Sequence, residues 1–263
     1  MAAAEAQPPD RPLVASGLGK TFGEEDGRPV EVIRSISFSL GRGEIVSIVG
    51  PSGCGKTTLL NLLCGLLPLS RGHVLWNGRR LGSVPPRMGY MLQKDLLLPW
   101  RTAVQNVALG LQINHVPRRE RLEVARALLD RLGLAAFTDY YPSALSGGMR
   151  QRVALARTLA PQPEVLLLDE PFSALDFQTK VLMQRDTAKL VREENRSLLL
   201  ITHDVEEAVG LSDRVMVLSR PPCTVVAEHP INLAGDRTDI VTAREMPEFG
   251  RYVHTIWNEL DVH

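Results

Sequence analysis

Aromatic residues and long apolar runs are scarce in this sequence. Phe, Trp and Tyr make up 5% of its 263 residues, whereas hydrophobic residues together reach 44%, so we expect a large core that is mainly aliphatic. The most apolar stretch, residues 59–69, contains Asn61 and has about half of the ~20 residues that a membrane-spanning helix needs. A buried helix is therefore predicted there, and no crossing of a membrane.

Cysteine and net charge are also scarce. The three cysteines, Cys54, Cys64 and Cys223, lie far apart in the sequence, which favours neither a disulfide framework nor a zinc cluster and fits a reducing compartment. Lys and Arg number 30, as do Asp and Glu, so the formal net charge is zero. A neutral chain lacks the overall field that draws a protein to nucleic acid or to anionic lipid, and neither partner is expected.

The two ends of the chain differ from its middle. Residues 1–10 contain alanines and two prolines but neither the basic start nor the apolar core of a signal peptide, so we expect a disordered N-terminal tail. The chain is then predicted to form one large domain over 11–240 and a C-terminal helix over 241–263, amphipathic from Glu248 to Leu260.

Apolar strands separated by helices indicate the fold class. Runs at 44–49, 165–168 and 197–202 predict buried strands, which is typical of an α/β fold with a mainly parallel core sheet covered on both faces. The first two strands, the second ending in the alternating segment 36–40, predict an antiparallel β lobe beside that sheet.

Helical periodicity is strongest in the middle of the chain. Helices are predicted over 56–67, 102–113, 118–132 and 147–159. The last three form a helical subdomain over about 95–160, inserted between two strand-rich parts.

A glycine-rich loop follows the first buried strand. Gly50-x-x-x-x-Gly55-Lys56-Thr57 opens a predicted helix, the context in which this motif binds phosphate. Glycines let backbone N–H groups surround an anion, and the helix N-terminus adds its positive dipole. Lys56 is expected to reach the β- and γ-phosphates, Thr57 to bind Mg²⁺, and Thr58 to approach the α-phosphate. The expected ATP-binding residues of the loop are Gly50, Pro51, Ser52, Gly53, Cys54, Gly55, Lys56, Thr57 and Thr58.

Two carboxylates, Asp169 and Glu170, follow the strand at 165–168. Ligands gather at the carboxyl ends of strands in parallel sheets, so we expect Asp169 to hold Mg²⁺ and Glu170 to polarise the water that attacks the γ-phosphate. His203 follows another strand at the same edge. It could contact the γ-phosphate and orient that water, although an ordinary structural histidine fits its position equally well.

A second helix start suited to an anion occurs at Ser146-Gly147-Gly148. Ser146 is a natural N-cap, and the two glycines allow close approach to the free N–H groups. Because only the first loop has a lysine and a metal site, the second start could complete the site of another copy, so that two chains enclose two ATP molecules. A simple capped helix is the alternative.

Several of these motifs occur in one characteristic order. The motifs are the phosphate loop, Gln93, Leu145–Gly148, Asp169-Glu170, Ser173–Asp176 and Thr202–Asp204. Over residues 13–220 the sequence resembles the nucleotide-binding domains of ATP-binding-cassette (ABC) transporters. The resemblance implies a P-loop NTPase fold of the ABC ATPase type, with ATP and Mg²⁺ as cofactors and residues 11–240 as the ATPase domain.

The resemblance also implies roles for single residues. Phe22 stands where the family stacks a ring, more often that of Tyr, on adenine. Gln93 would contact Mg²⁺ and the attacking water. Ser146, Gly147 and Gly148 would bind the γ-phosphate of the partner chain's ATP, and Asp176 would link the two sites of a homodimer.

Residues 93–107, which include Leu-Leu-Pro-Trp, look like the ATPases of nitrate, sulfonate and taurine importers. That likeness implies a peripheral subunit on the cytoplasmic face of the cell membrane, bound to integral permease subunits that an extracytoplasmic solute-binding protein supplies. The apolar cluster at 96–100 is expected to contribute a docking site for the permease. The tail from Ser219 to Asp236-Arg237 is also similar to these importer ATPases. At the position where they have Gly-Arg, this chain has Cys223-Thr224, in a region that we expect to take no part in catalysis.

Two other functions fit the sequence less well. A soluble ABC ATPase acting in DNA repair or translation usually carries two cassettes, a coiled-coil insertion or basic arms, and this chain has one cassette and no net charge. A P-loop kinase for a small molecule leaves Leu145–Gly148 unexplained.

Overall fold

The computed structural model describes residues 10–25, 28–85, 87–233 and 240–262. The predicted N-terminal tail, apart from Asp10, lies outside the described residues, as does His263. Within the described ranges no helix is both long enough and apolar enough to cross a bilayer.

The strands of the described chain form one sheet in the order β5-β4-β1-β2-β10-β9-β3-β8-β7-β6. Their bounds are β1 Leu13–Glu25, β2 Arg28–Leu40, β3 Ile45–Val49, β4 Arg71–Trp76, β5 Arg79–Arg80, β6 Met88–Met91, β7 Val165–Asp169, β8 Ser197–Ile201, β9 Arg214–Leu218 and β10 Cys223–Pro230.

One half of this sheet is parallel. Strands β9, β3, β8, β7 and β6 pair in parallel, and every residue of β3, β7 and β8 is buried. Burial on both faces explains why these strands are continuous apolar runs. The predicted mainly parallel core sheet is confirmed.

The other half is antiparallel, as predicted, because β1 pairs antiparallel with β2 and β4, and β4 with β5. β10 joins the two halves by pairing antiparallel with β9 and parallel with β2. No strand is predicted from the sequence at 223–230. Its residues are mostly half-buried rather than alternating, so they carry no period-two signal.

Helices cover both faces of the sheet. Their bounds are α1 Lys56–Leu63, α2 Ala103–Val107, α3 Leu109–Ile113, α4 Arg118–Arg131, α5 Gly147–Leu159, α6 Phe177–Glu193, α7 Val205–Leu211, α8 Ile240–Arg244 and α9 Pro247–Val262. The predicted helix over 147–159 is confirmed, and the one over 102–113 forms as α2 and α3 on either side of Ala108.

One helix end and the division of the C-terminal segment differ from the sequence predictions. α1 ends at Leu63 rather than at residue 67, because Gly65 adopts a left-handed conformation at φ +75° and the N–H of Leu66 turns back to the carbonyl of Asn61. The C-terminal segment forms α8 and α9 rather than one helix, and α9 contains the amphipathic helix predicted from Glu248 to Leu260. Pro247 has no N–H to continue α8 and instead occupies the first position of α9.

The core is mainly aliphatic, as expected. Among the described residues, the buried aromatic side chains are Phe38, Phe172 and Phe249, and the other buried apolar residues are aliphatic, methionine or cysteine. One cluster joins the sheet to α2–α6, a second joins it to α1, and a third joins it to α7 and α9. The sheet is thus held rigidly between helices, and the loops at the carboxyl ends of β3, β7 and β8 meet at one edge.

Candidate active site

The glycine-rich loop connects β3 to α1 in a conformation that its glycines allow. Gly53 and Gly55 have φ values of +76° and +111°, in the left-handed region that favours glycine. A Cβ on Gly55 would also come within 3.0 Å of Val32 Cγ1. The loop therefore turns its backbone toward the N-terminus of α1, the arrangement that presents N–H groups to an anion.

Lys56 lies at the first position of α1 and is only 8% exposed. Its ammonium group donates hydrogen bonds to the carbonyls of Gly50 (2.7 Å) and Pro51 (2.9 Å). These bonds hold the positive charge over the loop, where it can meet a phosphate oxygen.

A cavity of about 480 Å³ opens above the loop. Its walls are formed by Val32, Ser52, Gly53, Gly55, Lys56, Thr57, Thr58, Gln93, Asp169 and Glu170. Six of the nine predicted loop residues thus line one cavity with Gln93 and both carboxylates, whereas Gly50, Pro51 and Cys54 are not among its walls. Val32 was not predicted, because a valine within a long strand gives no sequence signal for a ligand contact.

Thr57 and Asp169 meet at the base of this cavity. The Thr57 hydroxyl donates a 2.7 Å hydrogen bond to Asp169 Oδ2, and Asp169 is 3% exposed. Burial raises the pKa of Asp169, the neighbouring charge of Glu170 adds to the rise, and the Thr57 hydrogen bond opposes it. A hydroxyl and a carboxylate with the amide of Gln93 nearby are hard oxygen ligands, and Mg²⁺ is usually held by one or two carboxylates together with phosphates and water. The donor set fits that ion.

Glu170 has an unusual backbone conformation, with φ at +48°. A non-glycine residue in this region costs about 1–3 kcal/mol, and such residues are enriched at functional sites. The Glu170 N–H donates to the carbonyl of Ile201 (2.9 Å), which fixes the turn at the end of β7. The Glu170 side chain meets residues on two other loops.

Gln93 and His203 converge on one oxygen of Glu170. Gln93 Nε2 donates a hydrogen bond to Oε2 over 3.1 Å, and His203 Nδ1 lies 3.4 Å from the same oxygen. The His203 side chain is 63% exposed, so it can turn toward a ligand. A carboxylate oriented by two neighbours beside a phosphate loop is suited to accept a proton from water.

Cys223, in the segment expected to carry no catalytic weight, reaches the loop. Its thiol contacts that of Cys54, and both cysteines are fully buried. The hydrogen bond from Cys223 lowers the pKa of the Cys54 thiol, and the same contact raises the pKa of the Cys223 thiol. β10 thus helps to support the phosphate loop.

Phe22 does not line the cavity. It is 40% exposed, and the ammonium of Lys20 lies 4.9 Å from its ring centroid. Its predicted adenine contact stays a prediction.

The residues predicted to act on a partner's ATP also lie outside the cavity. Ser146 caps α5 by accepting a hydrogen bond from the Met149 N–H (3.2 Å), and Asp176 caps α6 by accepting one from the Thr179 N–H (3.0 Å). Hydrogen bonds from backbone N–H groups at that cap, above all the one from Thr179, lower the pKa of Asp176. Ser146, Gly147 and Asp176 are exposed, and Gly148 packs against Leu175.

Comparison with known proteins agrees with this site. The model of the family described as ABC transporter matches residues 33–173, which include the phosphate loop, Gln93, Ser146–Gly148 and both carboxylates. This chain belongs to the ABC transporter family. As an ABC-type ATPase it binds ATP, and ATP hydrolysis is the activity of the family.

Relatives extend the match to almost the whole chain. An uncharacterized ABC transporter ATP-binding protein, YtlC of Bacillus subtilis (strain 168), is 45% identical over 231 residues, covering 87% of this chain and 88% of its own. The taurine import ATP-binding protein TauB of Escherichia coli (strain K12) is 43% identical over 82% of this chain and 84% of its own. TauB of Pseudomonas aeruginosa (strain UCBPP-PA14) is 40% identical over 95% of this chain and 96% of its own.

A solved ABC cassette, MJ0796, described as dimeric in a post-hydrolysis state bound to ADP and Pi, has the same fold. Its sequence is 29% identical, with a TM-score of 0.76, over 84% of this chain and 99% of that one. The predicted P-loop NTPase fold of the ABC ATPase type is confirmed.

Proposed function

We propose that this ABC ATPase is the ATP-hydrolysing subunit of an importer for nitrate, a sulfonate, taurine or a similar small solute. The taurine import ATP-binding proteins among its relatives support this choice. All the relatives named above are transporter subunits, which favours an importer over a soluble ABC ATPase of DNA repair or translation.

Glu170 is the general base of the proposed reaction. The single observation that carries this role is the convergence of Gln93 (3.1 Å) and His203 (3.4 Å) on Glu170 Oε2 at the rim of the phosphate-loop cavity. Glu170 takes the proton of the attacking water, Gln93 holds that water in line, and His203 contacts the γ-phosphate.

The loop from Gly50 to Thr58 holds the phosphates, and Lys56 supplies its positive charge. Thr57, Asp169 and Gln93 would hold Mg²⁺, which when bound neutralises charge on the β- and γ-phosphates. The hydrogen bond between Thr57 and Asp169 supports this assignment, because it brings two of the three ligand side chains together (2.7 Å). Phe22 would stack on adenine.

A second copy completes the site in this proposal. Ser146, Gly147 and Gly148 would bind the γ-phosphate of the partner's ATP, and Asp176 would connect the two sites of the homodimer. The exposed, well-capped starts of α5 and α6 support this, since both lie outside the chain's own cavity. The dimeric MJ0796 cassette supports it too.

The docking loop, defined as residues 95–101, would meet the permease. Leu96 is 54% exposed with φ at +45°, and Trp100 is 70% exposed, so two large apolar side chains face outward. The loop is nevertheless held firmly by the fully buried Asn106, whose side chain accepts a hydrogen bond from the Leu98 N–H and donates to the carbonyls of Leu98, Arg101 and Thr102.

The docking loop is also tied to α5, the helix that begins after Ser146. Arg157 of α5 donates to the carbonyls of Leu96 (2.8 Å) and Asp95 (2.6 Å), and Arg150 binds the Asp95 carboxylate (3.0 Å). A shift of α5 on closure of the dimer would therefore move the surface that contacts the permease.

The remaining assignments complete the proposal. The chain would divide into an N-terminal tail at 1–10, an ATPase domain at 11–240 with its helical subdomain at about 95–160, and a C-terminal segment at 241–263. It would act at the cytoplasmic face of the cell membrane with two integral permease subunits, supplied by an extracytoplasmic solute-binding protein.

Reconstitution tests this proposal. The probes are permease pairs of the taurine, sulfonate and nitrate types in liposomes, each with its binding protein and solute. One pair should form a complex with the chain and accumulate its solute only with ATP. Trp100→Asp should weaken capture of that pair, whereas Tyr141→Asp, which alters a residue 51% exposed outside the docking loop, should not. Failure of every pair, together with stimulation of hydrolysis by DNA or ribosomes, would favour the soluble alternative.

A further inference from the structure

Lys180 connects the start of α6, where Asp176 lies, to the turn that carries His203. It lies in the first turn of α6, and its backbone N–H donates to the carbonyl of Asp176 (2.8 Å). Its ammonium group donates to Asp204 Oδ2 over 2.7 Å and lies 3.3 Å from Glu207 Oε2. Asp204 is the N-cap of α7 and follows His203 directly, so Lys180 bridges α6 to the turn that carries His203.

The cluster is buried enough to keep a fixed geometry. The side chains of Lys180, Asp204 and Glu207 are 22%, 30% and 3% exposed. Asp204 also accepts a hydrogen bond from the Glu207 N–H (3.1 Å), and its own N–H donates to Thr202 Oγ1 (3.0 Å). Charge-assisted hydrogen bonds shielded in this way hold two elements more firmly than exposed ion pairs do.

The rest of this turn of α6 is turned outward. Asp176, Phe177 and Gln178 are exposed, Phe177 by 65%. Along the part of α6 that the structure describes, Lys180 is the first residue whose side chain donates a hydrogen bond to another element. A second polar link runs from Phe177 through Arg244, which lies 5.8 Å from the Phe177 ring centroid and pairs with Glu206 of α7. Lys180 makes the link that ends on Asp204, the residue next to His203.

We propose that Lys180 is a positioning residue that transmits the position of Asp176 to His203. The inference rests on the proposed function, in which Asp176 faces the second chain. When that chain fixes the first turn of α6, Lys180 fixes Asp204, and with it the His203 ring, whose Nδ1 lies 3.4 Å from Glu170 Oε2. Dimer closure and the arrangement of the catalytic groups are then coupled through the Lys180 side chain.

Lys180→Met tests this, because it keeps an unbranched apolar stem and removes the charge. Its kcat should fall about tenfold, while the KM for ATP and the ATP affinity of the single chain change less than about twofold. Lys180→Arg should recover most of the kcat, since a guanidinium can also bridge the two acids. Lys189→Met is the matched control on the same helix, where the side chain is 61% exposed, and it should behave as the wild type.

The double variant Lys180→Met/Glu207→Gln separates a folding defect from the proposed role. In Lys180→Met the buried acid Glu207 loses its cation, and Glu207→Gln removes the charge of that acid. This double variant should melt near the wild-type temperature and keep the low kcat. Recovery of wild-type kcat in the double variant, a kcat within about twofold of wild type in Lys180→Met, or no rescue by arginine would each overturn the inference. The proposed function fails by a different result, absence of hydrolysis in the chain with Lys180 intact.

Discussion

The side-chain amide of Gln93 donates a hydrogen bond of 3.1 Å to the carboxylate of Glu170. Gln93 follows β6 and lies two residues before the docking loop, and Glu170 directly follows β7, the neighbouring strand. One hydrogen bond thus connects the proposed base to a residue that lies two positions before the docking loop. We therefore expect a movement of the docking loop to reach the proposed base through this short connection.

Replacement of Glu170 tests its role as the base. Glu170→Gln keeps the shape of the side chain but cannot accept the proton, so turnover should fall at least about a hundredfold. ATP affinity should stay near the wild-type value, because Lys56 and the loop are unchanged. Steady-state phosphate release and binding of a fluorescent ATP analogue measure the two quantities. Glu193→Gln, 58% exposed on α6, is the control. Near-normal turnover in Glu170→Gln would exclude Glu170 as the base.

Ser146→Arg tests the shared site. An arginine at the start of α5 would occupy the space proposed for the partner's γ-phosphate, so hydrolysis should be lost while the single chain still binds ATP. Ser143→Arg alters an exposed serine three residues earlier and should keep its activity. If ATP binding to the isolated monomer disappeared in Ser146→Arg, the serine would belong to the chain's own site instead.

The metal requirement follows from Thr57 and Asp169. Chelation should stop hydrolysis, and added Mg²⁺ should restore it. Thr57→Val removes the hydroxyl ligand and the hydrogen bond to Asp169 (2.7 Å), so half-maximal activity should need about tenfold more Mg²⁺. Thr242→Val, an exposed threonine of α8, should leave the Mg²⁺ titration unchanged. An unchanged titration in Thr57→Val would remove this residue from the metal site.

Glu207 should make stability depend on pH. Burial raises its pKa to about 7 against the opposing charge of Lys180, whereas the unfolded value is about 4.5. The folded chain therefore binds this proton more tightly than the unfolded chain. The stabilisation is complete below pH 4.5 and is lost as the pH rises through 7.

Glu207→Gln cannot ionise and should not show that loss. Its melting temperature relative to wild type should rise between about pH 5 and pH 8. Differential scanning calorimetry measures this, with the exposed Glu193→Gln as the control. If the melting temperatures of wild type and Glu207→Gln changed with pH in parallel, Glu207 would titrate in the folded chain as it does in water.

Local motifs were the predictable part of this protein. The loop from Gly50 to Thr57 owes its conformation to its own glycines and to the helix it opens, so the sequence was enough to identify it. The buried strands were predictable because burial on both faces demands unbroken apolar runs.

Long-range pairings were not predictable in the same way. β10 has no period-two pattern, and its place between β2 and β9 depends on partners far away in the sequence. Its contact between Cys223 and the loop residue Cys54 was therefore missed, as was the contact of Val32 with the cavity. The hydrogen bond from Lys180 to Asp204 depends on how two helices pack against each other. No local pattern in the sequence predicts that packing.

The mass of Glu170→Gln in solution, measured by size-exclusion chromatography with light scattering, tests the shared ATP site most directly. With ATP the variant should elute with the mass of two chains, because ATP binds and closes the dimer but is not hydrolysed. Without ATP, or with Ser146→Arg added, it should elute with the mass of one chain. A single-chain mass at saturating ATP, or a dimer that survives Ser146→Arg, would contradict a site built from two chains.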